Sequence, residues 1–384
     1  MNAHGRDGGP LRVGINARLL ASPDLRGFNR YTAELVRALA ASGRVEPVLF
    51  SDFPVHPVHG LERLRCVAQP VRPQARWQHR WLPLALRHEQ IDVFHAPAHW
   101  GVPWRAPCPV VATIHDLADR ERPDLRARAG LKADSRHAFE QWLVVRRAFR
   151  IIAVSEWTAR SIAGHLRVDP ARLAVTVEGA ASEFDEPHDA AAIAAARTEF
   201  GLREPYFLYV GGFDARKNLG VIVRALALLP AEQRVAVALV GEGGNAAQLL
   251  RRDAVQAGVD AWIVLAGGVG DRKLAALYAG ALAVVIPSWL EGFGLPVVEA
   301  MHVGTPAIVS SGGSLPEIAG EAGLVFSPED PAALAAAMHR VAADAALRGD
   351  LAARARARAP LYTWARAAEQ TADVYEMATA RPRA

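Results

Sequence analysis

Short apolar runs alternate with stretches of helical spacing along this 384-residue chain, and this alternation constrains the fold more than any other feature. Strands that alternate with amphipathic helices form parallel sheets with helices on both faces. The sequence therefore predicts an α/β protein with doubly wound parallel sheets. The predicted strands are residues 11–15, 47–50, 93–95, 110–114 and 151–155 in the first half, and 206–210, 235–240, 262–265, 283–286 and 306–309 in the second half.

The length of the chain favours two domains, because a single domain usually holds about 100–200 residues. The stretch that begins EGAASEFDEPHD contains Gly, Pro and Asp and separates the two sets of strands, so we expect the domain boundary there. The expected organisation is a disordered N-terminus (1–10), an N-terminal Rossmann-like domain (11–185), a linker (186–203), a C-terminal Rossmann-like domain (204–360) and a final helix that crosses back to the N-terminal domain (361–384).

Composition excludes several classes of protein. Apolar residues make up 51% and charged residues 22% of the chain, which is typical of a packed soluble protein and excludes a disordered or collagen-like chain. The two cysteines, Cys66 and Cys108, lack metal-ligand spacing and are too few for a disulfide framework. The longest apolar stretch, 275–290, is interrupted by Gly280 and Pro287. We therefore expect a cytoplasmic protein without a membrane-spanning helix.

The positive charge of the chain comes almost entirely from arginine. The net charge is +4, and only three of the 44 basic residues are lysine. No recognised nucleic-acid-binding module is present, so we expect no nucleic-acid partner. Residues 63–88 contain six arginines and no acidic residue, with Trp77 and Trp81 one helical turn apart. We interpret this segment as a helix with one packed aromatic side; the alternative is a peripheral contact with the inner face of a membrane.

The most informative motif is PSWLEGFGLPVVEAMHVGTPA, residues 287–307. Its pattern predicts a buried strand, a loop that holds Glu291, and a helix from Leu295 or the next residue that carries Glu299. Glycines on both sides of an aromatic residue at a helix N-terminus leave backbone N–H groups for oxygen ligands. Two carboxylates at different depths could accept hydrogen bonds from the vicinal hydroxyls of a sugar-like ligand. Alternatively, Glu299 only stabilises the helix N-terminus through the macrodipole.

A second motif, YFLYVGGFDARKNLG, begins at residue 206 and joins a buried strand to an amphipathic helix that starts near Asn218. Arg216 and Lys217 are adjacent cations in the connecting loop, and such a pair beside helix N–H groups suits a diphosphate. Lys217 is the more informative of the two as a candidate phosphate-binding residue, because the chain uses arginine at almost every other basic position. The alternative is a solvated pair of side chains on a loop.

Two further positions follow turns or strands in the first half. Gly27 precedes a helix that begins near Arg30, and the N-terminus of this helix could hold an anion. His115 follows the strand 110–114, at the carboxyl end where ligands bind in parallel sheets. Most glycines before helices bind nothing, however, and a lone histidine after a strand is more often a satisfied structural residue.

The stretch VALVGEGGNA matches a dinucleotide-binding GxGxxA pattern through Gly241, Gly243 and Ala246. Its strand is the second of its half rather than the first, so we do not expect NAD binding. No Asp-x-Asp pair occurs in the sequence, and nothing else in it has convincing metal-ligand spacing. We therefore expect no metal requirement and no resident cofactor.

These motifs together strongly resemble those of the family-4 glycosyltransferases. The resemblance rests on EGFGLPVVEAMHVGTPAIVS, VGGFDARKNL, TIHDL, IIAVSEWTARSI and GINARLL…RGFNRYTAELVRAL, which follow the family's order from Leu11 to about Tyr375. The pair Glu291 and Glu299, separated by seven residues, is the most specific element. The resemblance implies the GT-B fold, in which two Rossmann-like domains face each other across a deep cleft, and a nucleotide-sugar-dependent reaction that retains configuration.

The resemblance also implies a role for each matching residue. Glu299 would hold the ribose hydroxyls of the nucleotide, and Arg216 with Lys217 would neutralise its diphosphate. His115 would hydrogen-bond the donor sugar near the reacting carbon. Glu291 and the amides of Phe293, Gly294 and Leu295 would hold the sugar, and Gly292 lies in the same loop. Val269 would contact the base. Gly212, after the first strand of the second half, would lie in the donor site, and Gly27 would contact the phosphates or the acceptor.

Three positions depart from the family pattern. Gly212 stands where many relatives have arginine, so the diphosphate charge would rest on Arg216 and Lys217. Asn29 replaces the usual second glycine of the N-terminal loop. The letters VEGAASEFD replace the common Pro-Asn-Gly-Val-Asp linker. None of these departures removes a residue that the implied chemistry needs.

The resemblance implies a hexosyltransferase that moves a hexose from a UDP- or GDP-linked sugar to a hydroxyl of a glycan, lipid-linked or small-molecule acceptor. Two alternatives stay open. One is a nucleotide-sugar epimerase or a phosphorylase on the same fold. The other is a catalytically silent protein that only binds a nucleotide sugar.

Overall fold

The computed structural model describes residues 9–24, 27–125 and 131–380, without the side chains of residues 131–134. The described residues form two compact units. The first comprises the described residues up to Glu121, those from 131 to Glu178, and those from Trp364 onwards; the second comprises Arg122–Leu125 and Gly179–Thr363. Residues 1–8, most of the N-terminus that the sequence predicts to be disordered, lie outside the described ranges.

The first unit contains a parallel sheet. Its strands are β1 (Leu11–Asn16), β2 (Val45–Ser51), β3 (Arg65–Ala68), β4 (Val93–Ala96), β5 (Val110–Ile114), β6 (Arg150–Ala153) and β7 (Leu173–Val175). Their order across the described sheet is β3-β2-β1-β4-β5-β6-β7. Both β2 and β4 pair with β1, so the strand order reverses there and creates a topological switch point, at which ligands bind in such sheets.

Helices cover this sheet. They are α1 (Phe28–Ala41), α2 (Gln74–Arg76), α3 (Leu82–His88), α4 (Ala118–Glu121), α5 (Leu131–Arg147) and α6 (Glu156–Leu166). The amphipathic spacing of α1 buries Tyr31, Leu35 and Leu39 on one face. A π-helical turn, Trp77–Trp81, joins α2 to α3 and buries Trp77 completely. The arginine-rich segment 63–88 therefore does contain a helix with a packed aromatic side.

The second unit contains another parallel sheet. Its strands are β8 (Tyr206–Val210), β9 (Ala236–Val240), β10 (Ile263–Gly267), β11 (Val284–Ile286), β12 (Ala307–Ser310) and β13 (Gly323–Phe326). Their order in the described residues is β10-β9-β8-β11-β12-β13, which repeats the pattern of the first sheet. The second switch point therefore lies between β8 and β11, which pair directly through Leu208 and Val284.

The helices of the second unit are α7 (Ala190–Glu199), α8 (Gly220–Leu228), α9 (Gly244–Gln256), α10 (Asp271–Gly280), α11 (Leu295–Val303), α12 (Leu315–Ala319), α13 (Pro331–Ala343) and α14 (Ala345–Arg358). Helix α7 lies inside the expected linker 186–203, where the Asp189 carboxylate caps its N-terminus and its residues pack against α10. The segment expected to link the two domains therefore contains a helix, whose weak amphipathic pattern gives little signal in the sequence, and the predicted domain bounds stay a prediction.

The final helix, α15 (Trp364–Thr379), belongs to the first unit and packs against α1. At its exposed side Arg44 pairs with Asp373 at 2.7 Å and with Glu376 at 2.6 Å. At its buried side the Tyr375 hydroxyl lies 2.7 Å from Nδ1 of His95 in β4. These contacts attach the end of the chain to the first sheet.

The α/β class with doubly wound parallel sheets is confirmed. Every strand predicted from the sequence is present within a few residues, whereas β3, β7 and β13 were not predicted. Helix α1 begins at Phe28 rather than near Arg30, and α8 begins at Gly220 because Asn218 has a φ of 54°, which a right-handed helix cannot contain. In the described part of the chain, no helix is long and apolar enough to cross a membrane.

Candidate functional site

Two loops meet at the switch point of the second sheet. The loop after β8 carries Arg216 and Lys217, and the loop after β11 carries Glu291. Lys217 Nζ donates a hydrogen bond to Glu291 Oε1 at 2.7 Å, and Arg216 Nη1 lies 3.5 Å from Oε2. Ser288 Oγ donates to the same Oε1 at 2.6 Å. The structure thus brings three of the predicted residues into direct contact.

This cluster is largely removed from water. The side chains of Arg216, Lys217 and Glu291 are 27%, 16% and 12% exposed. Burial by itself raises the pKa of Glu291, but the charges of Lys217 and Arg216 and the hydrogen bonds from Lys217 and Ser288 together bring that pKa below its usual value. Glu291 is therefore an anion at neutral pH, held by two cations.

The two loops are fixed to each other by their backbones. Asn218 takes a left-handed conformation, with φ 54°, which turns its side chain towards the β11 loop. Its Nδ2 donates to the carbonyl oxygens of Pro287 at 3.1 Å and Pro328 at 2.8 Å. The N–H of Trp289 donates to the carbonyl oxygen of Arg216 at 2.8 Å. The cations therefore have a defined position relative to Glu291 without any ligand.

A glycine turn supports the Glu291 loop from the other side. Gly313 has a φ of +70°, and a Cβ atom there would lie 2.1 Å from the carbonyl oxygen of Glu291. The next residue, Ser314, donates its N–H to that oxygen at 3.0 Å and its hydroxyl to the Phe293 carbonyl at 2.7 Å. Only glycine permits both this backbone conformation and this close approach.

Three successive backbone N–H groups stand at the N-terminus of α11. Among the described residues, the N–H groups of Phe293, Gly294 and Leu295 have no hydrogen-bond acceptor. Phe293 and Gly294 are buried. Buried N–H groups are rarely left without a partner, and at a helix N-terminus they favour an anion or another oxygen ligand. This loop therefore has the chemistry of a site for an oxygen-rich ligand.

Glu299 lies one turn further along α11 and is 5% exposed. Its Oε2 accepts a hydrogen bond from the hydroxyl of Tyr278 in α10 at 2.8 Å. A carboxylate can accept about four hydrogen bonds, so the chemistry of Glu299 allows it to bind more than one donor. The structure confirms the position of Glu299 on a helix that begins at Leu295, as the motif predicts; its role stays a prediction.

The remaining loops of this edge also touch one another. A Cβ atom on Gly241 would lie 1.9 Å from the carbonyl oxygen of Gly211, and the N–H of Gly241 donates to Gly267 at 2.8 Å. The loops after β8, β9 and β10 are therefore packed backbone to backbone. Gly212 lies in the first of these loops and Val269 in the third, so both predicted positions are at the carboxyl edge of the sheet.

His115 belongs to the first unit, where it directly follows β5. Its Nδ1 lies 3.2 Å from Oε1 of Glu178, and its Nε2 lies 3.0 Å from the carbonyl oxygen of Pro97. The rings of Tyr31 and Phe28 pack against it at centroid distances of 4.4 and 4.8 Å. Both ring nitrogens of His115 thus face oxygen acceptors inside its own unit, an arrangement that fixes the ring plane.

Gly27 is the N-cap residue of α1 and has a φ of 53°. It is exposed, and a Cβ atom there would meet no atom within 4 Å. The first turn of α1 contains no acidic residue, so nothing charged in that turn opposes an anion. The prediction that this helix terminus meets phosphates or an acceptor is therefore compatible with the local geometry and stays a prediction.

Several residues that hold predicted residues in place were not themselves predicted. Ser288 and Asn218 lie inside the two motifs, beside Glu291 and Lys217, whereas the others act from a distant part of the chain; these are Gly313, Ser314, Tyr278 and Glu178. In the described ranges no group of three or more His, Cys, Asp or Glu side chains could hold a metal ion.

Two family models match the chain. The model described as "Glycosyl transferases group 1" matches residues 193–358, and the model described as "Glycosyltransferase Family 4" matches residues 25–180. The O-antigen chain mannosyltransferase B of Escherichia coli is 31% identical over 374 residues, which cover 92% of this chain and 96% of that protein.

Solved structures of similar fold agree with this result. Sucrose-phosphate synthase from Thermosynechococcus elongatus superposes with a TM-score of 0.77 at 22% identity, over 96% of this chain and 99% of that one. The Anabaena protein HepE in complex with UDP superposes with a TM-score of 0.77 at 18% identity, over 96% of this chain and all (100%) of that one. At these identities the similarity concerns the fold.

Proposed function

Because the chain belongs to the group 1 glycosyltransferases of the GT-B superfamily, we propose that it transfers a hexose from a UDP- or GDP-linked sugar to an acceptor hydroxyl. The acceptor is a glycan, a lipid-linked saccharide or a small molecule. We propose further that the reaction retains the configuration of the sugar and needs no metal ion. The observation that carries this proposal is the contact of Arg216 and Lys217 with Glu291 beside the three N–H groups of the α11 terminus.

Such a reaction first requires that the negative charge of the leaving diphosphate be stabilised. When the bond between the anomeric carbon and the diphosphate breaks, negative charge accumulates on the phosphate oxygens. Two cations that are already positioned and mostly desolvated stabilise that charge without a reorganisation cost. Arg216 offers a planar fork of donors and Lys217 a compact point charge, so together they fit two phosphate groups.

Glu299 and the loop at Val269 would bind the nucleoside half of the donor. Ribose hydroxyls are donors, and the buried carboxylate of Glu299 is an acceptor whose position is fixed by Tyr278. Backbone atoms at Val269 would contact the base. Support for a nucleotide donor also comes from the similarity in fold to HepE, which was solved in complex with UDP.

The sugar half falls to the loop of Glu291. Its carboxylate and the N–H groups of Phe293, Gly294 and Leu295 supply both acceptors and donors, as the hydroxyls of a pyranose require. His115 would contribute a hydrogen bond near the reacting carbon if a sugar hydroxyl replaced the Pro97 carbonyl oxygen as the partner of its Nε2. In the proposed step the acceptor oxygen bonds to the anomeric carbon on the face that the diphosphate leaves. The acceptor proton passes to a phosphate oxygen of the leaving group.

The experiment is a transfer assay with purified protein, labelled UDP- and GDP-sugars, and glycan acceptors. We expect transfer that depends on both donor and acceptor, that persists with a chelator, and that gives a product of the same anomeric configuration as the donor. Interconversion of the donor sugar without any acceptor would instead identify an epimerase. Binding of donor without any turnover would identify a silent binding protein.

A further inference from the structure

The first unit exposes three large aromatic side chains that the proposed reaction does not use. Trp104, Phe139 and Trp142 are 40%, 42% and 47% exposed, and their ring centroids lie 5.7, 5.8 and 6.4 Å apart. The ring planes of Trp104 and Phe139 differ by only 7°. Single exposed apolar side chains are common, whereas a contiguous aromatic patch marks a surface that contacts something else.

Arginine side chains flank this patch. The guanidinium of Arg147 lies 5.1 Å above the Trp104 ring. Arg105 follows Trp104 directly, and Arg146 lies one turn after Trp142 on α5; both arginines are exposed. Within the part of the chain that the structure describes, no carboxylate pairs with any of these three arginines. The patch is therefore apolar at its centre and positive at its margin.

The arginine-rich helix of residues 74–88 adjoins the patch. The N–H of Trp104 donates to Nδ1 of His79 at 3.1 Å, and Gln78 donates to the Glu140 carboxylate of α5 at 3.1 Å. The helix adds three exposed arginines, Arg76, Arg80 and Arg87. We call the surface formed by these three and by Trp104, Phe139, Trp142, Arg105, Arg146 and Arg147 the aromatic–arginine face.

We propose that the aromatic–arginine face binds the surface of an anionic lipid bilayer. Aromatic side chains with a flat apolar body favour the headgroup region, and arginines attract anionic phosphates and can extend their charge away from apolar surroundings. The two properties occur together here on neighbouring helices. This inference goes beyond the proposed transfer reaction and does not depend on it.

Two other occupants fit the face less well. A sugar ring stacks on a free aromatic face, but Arg147 covers one face of Trp104. Single-stranded nucleic acid needs aromatic rings spaced for successive bases, whereas these rings pack against one another. Leu84, 66% exposed on the adjoining helix, adds an alkyl side chain that suits lipid rather than either of these ligands.

The test is co-sedimentation of the full chain with vesicles of phosphatidylcholine alone or mixed with phosphatidylglycerol. We expect binding to the mixed vesicles that falls with added salt and that the double substitution F139A/W142A weakens by at least roughly tenfold. The matched control is Phe53→Ala, because Phe53 is 46% exposed and has Arg72 5.6 Å above its ring but lies outside the face. The control should bind as the unchanged chain does, and unfolding temperatures check that each variant folds.

Three results would overturn the proposal. The first is that the unchanged chain does not bind mixed vesicles. The second is that the double variant binds mixed vesicles as tightly as the unchanged chain does. The third is that the unchanged chain at high salt binds neutral vesicles as tightly as it binds mixed vesicles. If the unchanged chain does not bind vesicles, the face has another partner. That partner is a second copy of the chain, an oligosaccharide or RNA, according to which of these interactions the double variant loses. Transfer activity on a water-soluble acceptor is measured in parallel, so that a failure of this proposal is distinct from a failure of the proposed function.

Discussion

The Nζ atom of Lys217 lies 2.7 Å from Oε1 of Glu291, a residue 74 positions further along the chain. The contact exists because β8 and β11 are neighbours at the switch point, so their loops share one edge of the sheet. Arg216 is the second cation on the same carboxylate. Arg216 also lies 3.8 Å from the carboxylate of Asp214, whose side chain is 56% exposed, so Glu291 is the less exposed of the two carboxylates that face these cations.

Replacement of Lys217 by alanine tests the use of its charge. We expect Lys217→Ala to fold with a lower free energy of unfolding, because Glu291 loses one of its two cations, and to lose roughly 10²–10³ in turnover, the usual cost of one electrostatic donor in an active site. The measurement is steady-state transfer with the nucleotide sugar that the unchanged protein uses. Near-normal turnover would remove Lys217 from the proposed mechanism.

The matched control is Lys273→Ala. Lys273 also pairs with a glutamate, Glu199, at 2.7 Å in the second unit, but its side chain is 57% exposed. Exposed pairs of this kind contribute little to stability. We therefore expect Lys273→Ala to keep its turnover, which separates loss of a positioned charge from loss of any lysine.

The ionised state of Glu291 makes a pH-dependent contribution to stability. Burial raises its pKa, but Lys217, Arg216 and Ser288 together hold the pKa in the folded protein below the usual value. The stabilisation is therefore present above the unfolded pKa of about 4.3 and is lost as the pH falls through the lower folded pKa. We expect Glu291→Gln to reduce the free energy of unfolding by about 1–3 kcal/mol at neutral pH, and by less in acid.

Urea unfolding at a series of pH values measures this difference. Glu232→Gln is the control, because Glu232 is exposed in the same unit and no pair with a cation is described for it. A difference between Glu291→Gln and the unchanged protein that stays constant down to strongly acidic pH would contradict the account.

Gly313 tests whether the loop of Glu291 must be supported from behind. A Cβ atom at Gly313 would lie 2.1 Å from the Glu291 carbonyl oxygen, whereas one at Gly258, which has a similar φ of +68°, would meet nothing within 4 Å. Both variants have the strain of a positive φ, so the difference between them reports the clash with Glu291 alone. We expect Gly313→Ala to have a free energy of unfolding about 1–3 kcal/mol lower than that of Gly258→Ala, and to lose nucleotide affinity because the loop of Glu291 is displaced. Thermal unfolding and nucleotide titration of both variants measure the two effects, and equal behaviour would show that the turn tolerates displacement.

The pair of His115 and Glu178 predicts an energetic coupling. If Glu178 acts by orienting His115, Glu178→Ala reduces transfer by up to about 10²-fold, the cost of a misplaced group. Nucleotide affinity should not change, because the proposed nucleotide site lies in the second unit. A double-mutant cycle measures the coupling: the combined variant should be no worse than His115→Ala alone. Fully additive losses would mean that the two residues act separately.

The central strands of both sheets could be predicted because they are short, mainly apolar runs, such as YFLYV in β8 and AVALV in β9. The missed strands are edge strands with weaker patterns. Every residue of β7 is half-buried, and β3 begins with the exposed pair Arg65 and Cys66. An edge strand such as β3 or β7 is identified by its hydrogen bonds to the neighbouring strand, and the spacing of apolar residues in the sequence does not show those hydrogen bonds.

The candidate site divides in the same way. Arg216, Lys217 and Glu291 were predicted from loops that follow buried strands, and their mutual contact is a result of strand order. Gly313 and Glu178 were not predicted, because they contact Glu291 and His115 from distant parts of the chain. Ser288 lies in the same motif as Glu291, but the sequence does not show that its hydroxyl donates to that carboxylate. A sequence indicates which side chains carry the chemistry more readily than which ones hold them in place.

The most direct test of the central claim is calorimetric titration of the purified protein with UDP, GDP, ADP and NAD. We expect selective binding of UDP or GDP that Lys217→Ala weakens and that Lys273→Ala leaves unchanged. Binding of NAD alone, or of none of the four nucleotides, would contradict the assignment of the Arg216–Lys217–Glu291 cluster to a nucleoside diphosphate.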